Sequence, residues 1–132
     1  MTIIKRVEDQ DEIYNDAGLQ LIGSHQLNGN GLNPRELLEA ALGLCVSISI
    51  QKIMDYDGIT YDKNTIRVEV TSAKPEDKAN RFSNFYVRVT LPPGLEPAYK
   101  EKLNKVTERA CTIGNTLRHG AIVETVEFAS QD

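Results

Sequence analysis

Between Leu37 and Ile50 the chain offers almost no polar surface: Leu37, Leu38, Ala40, Ala41, Leu42, Leu44, Val46, Ile48 and Ile50 follow one another closely. On a helix these residues cover every side, which predicts a helix whose middle is buried all round. Its start is marked by Asn33-Pro34-Arg35-Glu36, a capping residue type, a proline at the first helical position and a Glu three residues after the cap. "DYDG" at 55–58 stops it near Tyr56. Elsewhere the period is two. Ile66, Val68 and Val70 alternate with Arg67, Glu69 and Thr71, and Phe85, Val87, Val89 and Leu91 alternate with Tyr86, Arg88 and Thr90, each the pattern of a half-buried strand. "SAKPEDKANRFSN" between them reads as a polar connection.

Ile3–Val7 and Leu19–Ser24 read as short strands joined through "NDAG", a hairpin. After "PPG", Leu95–Ala110 places Tyr99, Leu103, Val106 and Ala110 at helical spacing with Lys and Glu on the other faces, predicting a one-sided second helix that covers the sheet. "TIGNTLRHG" makes a turn or short helix, and Ile122–Phe128 a closing strand. The predicted order is β-β-α-β-β-α-β, one α+β domain over residues 1–132. A five-stranded sheet and one amphipathic helix cover only part of a wholly apolar helix in a chain this short. A homodimer is therefore expected, with the central helices of two chains near the two-fold axis; a monomer that wraps the helix fully is the alternative.

Composition narrows the function classes. Of 132 residues, 40% are apolar and 26% charged, which excludes disordered and collagen-like chains. Nineteen acidic against fifteen basic residues give a net charge of −4, and no Lys/Arg cluster stands out, so neither a nucleic acid nor an anionic membrane is an expected partner. The N-terminal "MTIIKRVEDQ" lacks the apolar core of a signal peptide, and Ala40–Ile50 is interrupted by Gly43, Ser47 and Ser49, so a cytoplasmic location is expected. There the two cysteines, Cys45 and Cys111, stay reduced, and any pairing between them is transient.

A lone cysteine in an apolar helix is usually a small core residue. Gly43 two positions earlier costs about 1 kcal/mol of helix stability, which suits close approach of a backbone or ligand. Ser47 and Ser49 add polar atoms, and Cys111 falls where one helix ends and another short one begins, where free N–H groups stabilise a thiolate.

"LNPRELLEAALGLC" resembles the signature of the OsmC/Ohr family, the osmotically inducible and organic hydroperoxide resistance proteins, and "ERACTIGNTL" resembles that family's second-cysteine motif. The two occur in the family's order. The resemblance implies an intertwined homodimer with active sites at the interface, and a thiol-dependent peroxidase acting on organic hydroperoxides or hydrogen peroxide. It makes Cys45 the peroxidatic thiol and Cys111 the resolving one, with a dithiol reductant closing the cycle and no cofactor. It also implies an Arg and a Glu near the thiol. Glu36 matches one branch of the family, nine residues before Cys45; another branch has its Glu at ten before, which here is Arg35.

Nine helical residues turn through about 900°, so Glu36 lies opposite Cys45 and about 13 Å along the axis. It can serve only a partner's thiol, or simply complete a capping box with Asn33. The family's Arg usually lies in the N-terminal hairpin region, but "EDQDEIYNDAG" contains none, leaving Arg6 and Arg35 as substitutes or as solvated surface residues. His25 and His119 with the cysteines lack metal-ligand spacing, so no metal is expected. "NGNG" lacks the context of a phosphate loop, and no nucleophile-elbow pattern supports a hydrolase.

Overall fold

The computed structural model describes residues 1–128. The chain opens with an antiparallel meander of β1 (Ile3–Val7), β2 (Gln10–Asn15) and β3 (Gly18–Gly23). Two hairpins thus stand where the sequence suggested one. Glu8 and Asp9, at φ 49° and 65°, make the two-residue turn between β1 and β2, setting Val7 opposite Gln10 and Ile3 opposite Tyr14. That turn has no Asn or Gly to announce it, and "QDEIYN" does not alternate, so the pattern along the chain conceals β2. "NDAG" forms the second turn, where the Asn15 side chain accepts from the Ala17 N–H at 2.9 Å.

"NGNG" folds back along β3. The Ser24 N–H donates to the Leu32 carbonyl at 2.9 Å and the Leu32 N–H to the Ile22 carbonyl at 3.1 Å. Gly31 is required there, because a Cβ at this position would collide with the Ile22 carbonyl oxygen. The chain then enters α1 (Pro34–Tyr56) through the capping box read from the sequence, with Asn33 and Glu36 each accepting from the other's backbone N–H.

By length and composition α1 could cross a membrane. Here it is the central helix of the fold, packed against β4 (Arg67–Ala73), α2 (Pro97–Ala110) and α3 (Thr112–His119). Leu42, Val46, Ile50 and Met54, spaced four apart, are its buried stripe. Ile50, Met54 and Leu103 of α2 are wholly buried, each contributing about 2 kcal/mol. The expectation of burial all round is corrected for the single chain. Leu44 and Ile48 remain 63% and 41% exposed, because β4 and the two shorter helices flank only one side.

β4 pairs antiparallel with β5 (Asn84–Thr90), Val68 opposite Val89 and Val70 opposite Val87, as the alternation predicts. The two form their own sheet, separate from the meander, rather than part of a five-stranded one. The closing strand is also corrected. Ile122–Phe128 has no strand pairing, and Ile122 and Phe128 are each 90% exposed. Alternation makes a segment fit for a sheet, but a strand exists only where a neighbouring edge accepts its hydrogen bonds. The observed order is β-β-β-α-β-β-α-α, an α+β fold.

Gly43 receives β4 against α1. A Cβ there would lie 3.1 Å from Val70 Cγ2 and 3.7 Å from Val68 Cγ1, on a face turned about 200° from Cys45. The close approach inferred from this glycine is real, but it serves packing and not the thiol. Gly43→Val is accordingly expected to destabilise the fold by about 1–3 kcal/mol in urea unfolding, since overpacking outweighs the gain in helix propensity.

Candidate active site

The end of α2 and the start of α3 share one residue. Cys111 closes α2 by donating its N–H to the Thr107 carbonyl at 3.0 Å, and with φ −76° and ψ 103° it leaves the helical path. Its sulfur then caps α3 by accepting the Gly114 N–H at 3.4 Å, a role more often filled by Ser, Asp or Asn. Gly114 leaves room for that sulfur: a Cβ on it would sit 3.4 Å from Cys111 Sγ. Cys111 itself is only 2% exposed.

This break aims the first turn of α3 at Cys45 on α1. Burial, the strongest single influence, pushes the Cys45 thiol up. The Ile113 N–H, the Cys111 thiol, the Thr112 N–H and the Ser49 hydroxyl all favour its thiolate, and together they bring it below the ordinary thiol range. Cys111 moves the other way. Burial raises it, and so does the neighbouring Cys45 thiol. Cys45 packs against the buried cluster that contains Cys111, so two thiols remote in sequence become neighbours with opposed acidities. The free N–H groups expected to act on Cys111 act on Cys45 as well.

The charged residues suggested for the site lie elsewhere in the chain. Glu36 is held in the capping box, accepting the Asn33 N–H at 3.0 Å, and borders a groove with Glu39, Gly43 and Val70 on the face of α1 away from Cys45. Arg6 pairs with Asp11 at 2.9 Å in the N-terminal sheet. Arg35 is held by the Ser72 hydroxyl at 2.8 Å and the Ser72 carbonyl, lies 3.8 Å from Glu39 and stacks 5.1 Å from the centre of the Phe82 ring. Of the two histidines, His25 sits 3.5 Å from Asp11 and His119 ends α3. No group of three or more potential metal ligands occurs among the described residues.

Two neighbours of Cys111 carried no signal in the sequence. Thr107, one turn before it, has a buried hydroxyl without a hydrogen-bond partner among the described residues, a state that costs about 1–3 kcal/mol. Arg118 lies one turn beyond Gly114, its Nη1 donating to Asn115 Oδ1 at 3.1 Å and its Nη2 3.5 Å from Glu108 Oε1. Both read in sequence as ordinary helix residues; only their spacing from Cys111 hinted at proximity.

Comparison with known proteins resolves the ancestry of this arrangement. The profile described as OsmC-like protein matches residues 27–126, a span containing both cysteines. The chain belongs to the OsmC-like family. Solved structures share its fold at low identity. An OsmC-like protein from Mycoplasma pneumoniae superposes with a TM-score of 0.72 at 19% identity, over 89% of this chain and 86% of that one. An organic hydroperoxide resistance protein OsmC from Legionella pneumophila gives 0.59 at 20% identity, over 89% of each. The organic hydroperoxide resistance protein OhrB of Bacillus subtilis gives 0.57 at 19% identity, over 89% and 90%. No curated protein matches in sequence.

In this OsmC-like chain the acidity difference has a direct readout. Alkylation of Cys45 by iodoacetamide, followed by peptide mapping across pH, is expected to show a midpoint below that of an ordinary thiol, because the thiolate fraction rises once pH passes the lowered pKa. Cys111 is expected to titrate above the ordinary value. Ser49→Ala removes a donor to the thiolate and is expected to move the Cys45 midpoint upward.

Proposed function

We propose that the protein is a thiol-dependent peroxidase that reduces organic hydroperoxides, with Cys45 attacking and Cys111 resolving. One observation carries this reading: Cys45, held below the ordinary thiol range, packs against the buried cluster that contains Cys111, held above it, where α2 gives way to α3. The Cys45 thiolate attacks the distal peroxide oxygen, the alcohol leaves, and Cys45 becomes a sulfenic acid. Cys111 then attacks that sulfur, water leaves, and a disulfide forms. A dithiol returns the pair to the reduced state. The names of the Legionella and Bacillus structural relatives agree with hydroperoxides as the substrate class.

The acidifying groups come from backbone and neutral side chains rather than from a guanidinium–carboxylate pair. In this reading Glu36 acts as the capping residue of α1, and a direct catalytic part would require it to reach a partner's thiol across a two-fold axis. A homodimer forms part of the proposal. It is supported by the apolar surface that one chain leaves uncovered, notably Leu44 and Ile48 beside Cys45 and the alternating residues Ile122–Phe128.

Treatment with cumene hydroperoxide is expected to consume two thiols per chain, giving an intrachain disulfide by intact mass. Cys45→Ser abolishes the reaction, while Cys111→Ser halts it at oxidised Cys45. Thiol loss no faster than that of free cysteine would end the proposal. Glu36→Gln, which keeps the capping acceptor and removes the charge, is expected to leave the oxidation rate within about two-fold of the parent. A larger loss would assign the carboxylate to the partner's thiol.

A second reading, a dimer that binds a small hydrophobic ligand without turning it over, is favoured by the absence of an arginine from the hairpin segment 8–18. Thermal shifts separate the two, since a binder responds equally to the hydroperoxide and its alcohol and consumes neither.

A further inference from the structure

The segment "NGNG" that leads from β3 toward α1 lies outside the thiol site, yet it holds both Asn-Gly pairs of the chain, Asn28-Gly29 and Asn30-Gly31. Every other asparagine is followed by a residue with a side chain. A glycine after asparagine has no Cβ to hinder its own amide nitrogen. That nitrogen can therefore reach the carbonyl carbon of the preceding side chain. The two pairs are the same in sequence but are held differently by the fold.

Asn30-Gly31 is tied to β3. A Cβ at Gly31 would meet the Ile22 carbonyl carbon at 3.0 Å and that of Gly23 at 3.3 Å, so its backbone is wedged against the strand. The next residue, Leu32, donates its N–H to the Ile22 carbonyl at 3.1 Å and accepts the Ser24 N–H at 2.9 Å. Asn28-Gly29 lies beyond these anchors. Leu27 is 60% exposed, and Asn28 and Gly29 are exposed with it. The Gly29 N–H donates to no backbone carbonyl among the described residues. The atom nearest to a Cβ at Gly29 would be the rotatable Ser24 hydroxyl, at 2.9 Å, rather than backbone. Asn28 also holds φ 59°, a left-handed conformation that is costly for a residue with a Cβ, so little opposes its leaving that geometry.

We propose that Asn28 is a self-modification site: in the folded protein the Gly29 nitrogen closes on its side chain, while Asn30, in the same dipeptide, is protected by its tie to β3. The Gly29 amide nitrogen, having lost its proton to hydroxide, attacks Asn28 Cγ. The side-chain nitrogen takes up a proton and leaves as ammonia, and a five-membered succinimide remains. Water then breaks one of the two C–N bonds of the ring and returns a proton to the Gly29 nitrogen. Breaking the new bond gives aspartate at position 28; breaking the original peptide bond gives isoaspartate. The net change is one water in and one ammonia out, with no electrons transferred.

Each product adds a negative charge to a chain whose net charge is −4, and isoaspartate lengthens the main chain by one carbon. A loop absorbs such an insertion at small cost. The hydrogen bonds of Leu32 stand between the modified tip and α1, so the start of α1 stays in place.

Purified protein held at mildly alkaline pH and sampled over days is expected to show the mass gain of an amide-to-acid exchange at Asn28 on peptide mapping. Electron-transfer fragmentation is expected to find both aspartate and isoaspartate there. At Asn30 the exchange is expected to be at least about ten-fold slower, because that pair must wait for local opening of its ties to β3. In guanidinium chloride, where those ties are gone, the two sites are expected to react at comparable rates. Asn28→Gly, which accepts a positive φ without cost, is expected to remove the acidic species that otherwise grows on anion exchange.

Equal rates at the two sites in the folded protein, or a faster one at Asn30, overturn the inference. Aspartate without isoaspartate does the same, since it means direct hydrolysis with no ring. So does a folded chain whose Asn28 stays intact over the time in which the guanidinium-treated chain reacts. Acidic species that persist in Asn28→Gly place the modification elsewhere and overturn it too.

Discussion

The chemistry available to this protein depends on one junction, the turn where Cys111 ends α2 and begins α3. Its N–H closes the first helix on Thr107, its sulfur accepts the Gly114 N–H of the second, and its thiol is a neighbour that favours the Cys45 thiolate. One residue thereby sets the direction of α3 and the protonation preference of its neighbour. A polar cap of ordinary type would hold the helix equally well but could not form a bond with Cys45. The junction stays pressed against α1 because Leu103, Ile50 and Met54 bury completely beside it.

Acidification of a half-buried thiol usually calls for a nearby cation, since burial alone opposes charge. Here the opposing influence is met by several modest ones: two backbone N–H groups, a thiol and a hydroxyl. Such donors are oriented by the fold and add no net charge. The arginines best placed by sequence are spent on structure, Arg35 most completely, since Ser72, Glu39 and the Phe82 ring all engage it. Gly43 is a similar case. Its missing side chain lets β4 approach on one face of α1, while the thiol works on another.

Much of this was legible along the chain. The capping box at Asn33–Glu36 marks the start of α1 because its two hydrogen bonds are local and depend on residue types three positions apart. The strands β4 and β5 show themselves because each has one face on the core and one in water. β2 stays hidden because its residues are mostly polar and its turn, Glu8-Asp9, takes positive φ without the usual residues. Ile122–Phe128 misleads in the opposite sense, since its alternation is that of a strand while the chain by itself gives it no partner edge. Helix geometry alone put Glu36 on the side of α1 opposite Cys45, and the capping box offered as one of its two roles is present.

What the sequence determined by itself were features governed by short-range chemistry: the α+β class, the long apolar helix and its start, and the two cysteine motifs of the OsmC-like family. What only the tertiary structure decided was which groups surround each sulfur. The donors to Cys45 are mostly backbone N–H groups, which every sequence possesses and none advertises, and their direction follows from how α3 leaves α2. The unpartnered hydroxyl of Thr107 has the same origin. Both arise from packing between segments far apart in the chain, where no local pattern records the outcome.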